Sequence, residues 1–160
     1  MKPFNEQAGS RPEKTQPAQM KPSPPRMRAG AVVTLIGLFI FTVGARPSWF
    51  GWDRSPVVGF VQISVLLIGL GIICVGGYVG LGTLWKGMPR SIVADIGLRL
   101  VATGYVIAAF SGMADVFGMG SQPVPAVPYF GRLQATGVLI GQVIIAIGFV
   151  MLIPFHRSMR

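Results

Sequence analysis

The sequence is poor in the groups that do chemistry. It has one cysteine, one histidine and five acidic residues in 160 positions. Cys74 alone closes no disulfide within the chain, and it leaves thiol–disulfide exchange without a second thiol. His156 alone excludes a zinc site of the usual Cys/His type and a bis-histidine haem in one chain. The expectation is therefore no metal, no cofactor and no catalytic residues. The carboxylates agree with this. Glu6 and Glu13 lie in the N-terminal segment, so no glutamate sits in an apolar run where it could couple to protons. Asp95 and Asp115 are 20 residues apart, about 30 Å along a helix at ~1.5 Å per residue. That separation excludes the paired-carboxylate dyad of intramembrane proteolysis. Gly76-Gly77 lies inside an apolar run, not between a strand and a helix, so it is not a phosphate loop.

Charge of any sign is scarce. Charged residues make up 12% of the chain, against about 25% in soluble domains. Hydrophobic residues reach 51%, mean hydropathy is +0.60, and there are 22 glycines. This excludes an ordinary soluble domain, and abundant glycine is a mark of membrane helices.

Four apolar runs are long enough to cross a bilayer core of about 30 Å, which takes roughly 20 helical residues. The sequence predicts helices over about 29–45, 57–85, 91–118 and 133–155. None alternates apolar with polar residues, so none reads as a half-buried strand. The predicted fold is an all-α integral membrane protein with a four-helix transmembrane domain over 29–155 and a short C-terminus over 156–160. Residues 1–28 hold six prolines and no apolar periodicity. Such a segment buries too little surface to offset its ordering entropy, so it reads as a disordered basic tail.

The basic residues fall on one side. Eleven lie in the tail, between the second and third helices, or after the fourth; Arg46, Arg54 and Arg132 make three on the other side. The positive-inside rule then puts both termini in the cytoplasm, in an inner (plasma) membrane. Trp49, Phe50, Trp52, Tyr129 and Phe130 fit the outer interface and Trp85 the inner one. The net charge of +9 is read as topology and not as nucleic-acid binding. Ser91 suits a helix N-cap, and Asp95 and Arg99 form a favourable i, i+4 pair. Pro123, Pro125 and Pro128 stiffen the outer loop over 121–130.

The chain also carries an internal repeat. At an offset of 72, nine of 21 positions over 56–76 are identical to 128–148, including Pro56/Pro128, Gly59/Gly131 and Gln62/Gln134. A weaker match at 71 joins Arg28/Arg99, Ala31/Ala102, Ile36/Ile107 and Phe39/Phe110. The reading is two tandem helical hairpins as parallel repeats, related by an axis along the membrane normal.

Small residues mark the faces on which helices meet in lipid. The first helix offers Gly30, Thr34, Gly37 and Gly44, and the second Gly69, Gly76 and Gly80 with Gln62. The third offers Gly104, Ala108, Ser111 and Gly112, and the fourth Gly137, Gly141 and Gly148. Asp115 extends the stripe of the third helix near its outer end. An ionisable residue there is a functional candidate by default. Arg132 is its expected partner, and Gln62, Gln134 and Gln142 complete a candidate polar cluster.

Two functions fit this pattern. The first is an accessory or scaffold subunit of a membrane assembly. The second is an oligomeric transporter or channel for small solutes or ions, using the cluster around Asp115. Expected partners are membrane lipids and other membrane proteins, or further copies of the chain. The first helix has one competing reading, because Val43-Gly44-Ala45 fits a signal-peptide cleavage site. The 28 residues ahead of it are long for the start of a signal peptide, so the helix should be retained. Intact mass of the protein from membranes should include this helix. A mature chain starting at Arg46 would refute the four-helix reading.

Overall fold

The computed structural model describes residues 24–51, 59–85, 90–119 and 131–154. The segment over 1–23, Trp52, Arg54, the loop with Lys86, Gly87 and Pro89, the loop over 121–130, and His156, Arg157 and Arg160 lie outside them.

Four helices follow in order: α1 (Pro24–Ala45), α2 (Phe60–Thr83), α3 (Ile92–Gly112) and α4 (Arg132–Leu152). All four are long and apolar enough to cross a membrane, and the described residues contain no strand. This is the make-up of a multi-pass membrane protein. A 3-10 turn, Pro47–Phe50, follows α1 and ends on Gly51 at φ 69. There the Arg46 guanidinium lies 5.8 Å from the Trp49 ring centre, and Phe50 packs edge-on against Phe39 at 5.7 Å.

Two boundaries differ from expectation by more than a helical turn, for local reasons. α1 starts at Pro24, more than a turn ahead of residue 29. Proline loses nothing in a first helical turn, where its missing N–H would have had no partner. α3 ends at Gly112 instead of running to 118. Residues 113–118 fold into turns, with Val116 N donating to Met113 O at 2.9 Å and Gly118 N to Asp115 O at 3.2 Å. Gly118 closes them at φ 72, a left-handed conformation that glycine adopts without steric cost. The start of α3 is as expected: Ala94 N donates to Ser91 Oγ at 3.2 Å. One turn on, Arg99 and Asp95 pair at 3.2 Å on the exposed face.

The helices associate unevenly. α1 lies along α2, and α3 along α4, each pair antiparallel with extensive contact. α2 bridges the two pairs, and no Cα of α1 comes within 8 Å of α3 or α4. The arrangement is an open array with α2 at its centre, not a closed ring of four.

Glycine sets the spacing within each pair. A Cβ on Gly76 would fall 2.5 Å from Thr34 N, and one on Gly37 would fall 2.7 Å from Ile73 N. A Cβ on Gly69 would collide with the backbone of Phe41. In the other pair, Cβ atoms on Gly104 and Gly97 would each lie 2.7 Å from carbonyl oxygens, of Gly141 and Gly148 respectively. These glycines recur every seven residues: 30, 37 and 44; 69 and 76; 97 and 104; 141 and 148. A seven-residue period keeps one stripe facing its partner along the whole helix. Equivalent contacts relate α2 to α4 at an offset of 72, but α1 to α3 at 67, as Gly30/Gly97 and Gly37/Gly104. The offset of 71 that aligns Arg28 with Arg99 is one helical turn away from this packing register.

Six hydroxyls within the helices are turned inward on their own backbone. Thr34, Thr42, Ser64, Thr83, Thr103 and Thr136 each donate to the carbonyl four residues back, at 2.7–2.9 Å. An unpaired hydroxyl is costly in hydrocarbon, and this bond removes the cost locally.

Gly76→Ala and Gly104→Ala should each destabilise the protein by about 1–3 kcal/mol, the usual cost of overpacking. Gly82→Ala serves as the control, since its Cβ would meet only the tip of Arg90 at 3.9 Å. Thermal unfolding in detergent should show a lower midpoint for the first two and no loss for the third.

Candidate functional site

The candidate polar residues gather mostly at one end of the array. Gly112 at the end of α3 faces Ile63 and Leu67 near the start of α2, and Gly137 near the start of α4 faces Ser111. Gln62, Arg132 and Gln134 therefore share that end with Asp115, which follows α3. Gln142 lies eight residues beyond Gln134, about 12 Å further along α4.

The expected cluster does not assemble as a bonded network. Among the described residues, no hydrogen bond or ion pair joins Asp115, Arg132, Gln62, Gln134 and Gln142 to one another. The Asp115–Arg132 pairing in particular is not formed. The cause is the end of α3 at Gly112. Asp115 sits in the following turns, so it does not continue the stripe of Gly104, Ala108 and Ser111 at helical spacing. It is half-buried, whereas Arg132 is exposed at the first position of α4.

Gln134 is the buried member, at 5% exposure. Its Oε1 accepts from Gly131 N at 2.8 Å, which satisfies one of the free donors at the start of α4. Its Nε2 is buried with no partner. Gln62, matched to it in the repeat, is only half-buried. Gln142 is half-buried in mid-helix. What this end offers is one half-buried carboxylate, one buried amide donor and an exposed guanidinium, without a fixed geometry among them.

The small-residue predictions fare differently. Gly69, Gly76, Gly104, Gly141 and Gly148 all sit against a facing backbone. Ala108 is fully buried, and its N and Cβ stand against Gly141. Gly137 faces Ser111, and Gly80 lies beside Gly30 with room for a Cβ at 3.9 Å. Gly97 is not among the predicted packing residues, yet its Cβ would lie 2.7 Å from Gly148 O. Its signal was the seven-residue spacing to Gly104.

The seam between the two pairs is made of larger groups. Ile63, Leu67 and Leu70 of α2 form a core with Val101, Ala108 and Ile145. The Tyr105 ring lies over Gly71 and the Phe149 ring over Gly77. Trp85 Nε1 donates to Leu152 O at 3.1 Å, which ties the end of α2 to a free carbonyl at the end of α4. Cys74 packs half-buried against this core. Among the described residues no group of three His, Cys, Asp or Glu side chains stands close enough to hold a metal ion.

No family model, curated protein or solved structure matches the chain.

A double-mutant cycle tests the polar end. Asp115→Asn and Arg132→Gln should show a coupling energy below about 0.5 kcal/mol, the scatter expected of independent sites. A coupling above about 1 kcal/mol would mean that the two side chains pair in the membrane.

Proposed function

We propose that the chain is a non-catalytic multi-pass protein of the inner membrane, with both termini in the cytoplasm, that serves as an accessory or scaffold subunit. The two hairpins are read as parallel repeats of one ancestral unit. The matched glycine contacts at an offset of 72 support that reading, as does the side on which the basic residues fall.

The observation that carries the accessory reading is the open array. α1 has a single helical neighbour, and its glycine face is spent on α2. Its outward face carries Val32 at 54% and Phe39 at 59% exposure. Helix association in lipid depends on close packing and not on exclusion from water. An edge helix with one neighbour therefore leaves most of its contact capacity for another membrane protein.

Extraction of the tagged protein from native membranes in mild detergent should recover a stoichiometric set of larger membrane proteins. A photo-crosslinking residue at Val32 or Phe39 should join α1 to one of them. Recovery of a lone chain or a pure homo-oligomer, with crosslinks only to itself or to lipid, would overturn the reading and favour an activity of the chain's own.

A further inference from the structure

A concavity lies at the opposite end from the polar residues. It is an open groove of about 580 Å³ between α1 and α2, with Phe149 of α4 as its far wall. Its floor is Gly30, Gly76, Gly77 and Gly80. It runs from Met27 to Leu35 on α1 and from Leu84 back to Ile73 on α2. At ~1.5 Å per residue the α2 side is about 16 Å long, which is one leaflet of a hydrocarbon core about 30 Å thick.

The groove offers nothing for a polar ligand to bond. Thr34 is its one hydroxyl-bearing residue, and that hydroxyl already donates to Gly30 O at 2.9 Å. Its outer lip is different. Arg26 and Arg28 stand in the first turns of α1, exposed and without an ion-pair partner among the described residues. Arg28 shares a helix edge with Ala31 and Leu35, both of which line the groove. A hydrocarbon slot one leaflet long, with two exposed arginines flanking Met27 at its α1 end, complements an acyl chain that carries a phosphate.

We propose that this groove holds one acyl chain of an anionic glycerophospholipid, with the phosphate seated on Arg26 and Arg28. The lipid belongs to the leaflet that faces the arginine-rich end. Its chain covers the glycine floor, where the two backbones would otherwise face lipid with a gap too small to pack well. Arginine suits the headgroup because its planar fork matches phosphate oxygens in pairs. A second copy of the chain is the competing occupant, but the one carboxylate its described helices carry at that end, Asp95, is already paired with Arg99. The proposal rests on membrane placement and is independent of the accessory reading.

Native mass spectrometry of the full-length protein decides it, with phosphatidylglycerol or phosphatidylcholine added to the delipidated chain in detergent. One phosphatidylglycerol should be retained with at least roughly tenfold preference over phosphatidylcholine. The double variant Arg26→Gln with Arg28→Gln should bind it on the order of 20-fold more weakly, and lysine at both positions should restore the binding only in part. Ala31→Trp and Leu35→Trp, at exposed groove positions, should each displace the lipid without lowering the thermal midpoint. Equal retention of the two lipids, or retention of phosphatidylglycerol in whichever tryptophan variant folds, overturns the proposal. A dimer that dissociates in the tryptophan variants while the arginine variants change nothing assigns the groove to a second copy and also overturns it.

Discussion

Everything in this structure depends on backbones that touch. At Gly69, Gly76, Gly104 and Gly148 a single added methyl group would collide with the backbone of the facing helix. In water, helices gather because their apolar faces leave the solvent. In a bilayer that force is missing, because the lipid tails are as apolar as the side chains. What remains is contact itself, and glycine brings the largest number of atoms within reach. The seven-residue repeat extends that contact over the full length of each pair. Serine and threonine side chains, bonded to their own helices, add no polar cost to the arrangement.

The same constraint explains the open shape. Each glycine stripe serves one partner, so the tight contacts are spent within α1–α2 and α3–α4. The contact between the pairs must then be built from Ile63, Leu67, Tyr105 and Phe149, which hold helices further apart. Two hydrogen bonds lie at one end of that seam, from Trp85 Nε1 to Leu152 O and from the Arg90 guanidinium to the Tyr78 hydroxyl. The wider spacing is also what leaves a groove between α1, α2 and Phe149. Tight packing within pairs, a looser seam between them and the groove beside that seam are thus one consequence seen in three places.

The sequence revealed the helices because an apolar run of twenty residues has few other uses. It also revealed most of the contact glycines, since stripes at 30/37/44 and 141/148 are visible by eye. It did not reveal which stripe meets which, because small residues fit any small face. The end of α3 was missed for a different reason. Residues 113–118 are Met, Ala, Asp, Val, Phe and Gly, with no proline or charge run to announce a stop. The helix stops at Gly112 and Gly118, in the left-handed region, closes the turns that follow; glycine gives no such warning in a chain with 22 of them. That short misreading carried Asp115 off the predicted stripe and with it the expected pair with Arg132. A site inferred from helical spacing holds only as far as the helix does.

The segments matched at an offset of 72 differ in burial at aligned positions. Leu67 and Leu139 are aligned at the offset of 72, yet Leu67 is 4% exposed and Leu139 60%. Gly69 and Gly141, aligned in the same way, are both buried against a facing backbone. In a soluble domain, burying or exposing a leucine differs by about 1.5–3 kcal/mol, so a repeat must keep such positions on the same side. In a bilayer both environments are hydrocarbon, and leucine is free to face protein in α2 and lipid in α4. Glycine has no such freedom, because its contribution is the absence of a side chain at one point of approach. The positions that specify this fold are therefore its smallest residues, while its large apolar residues chiefly specify that it lies in a membrane.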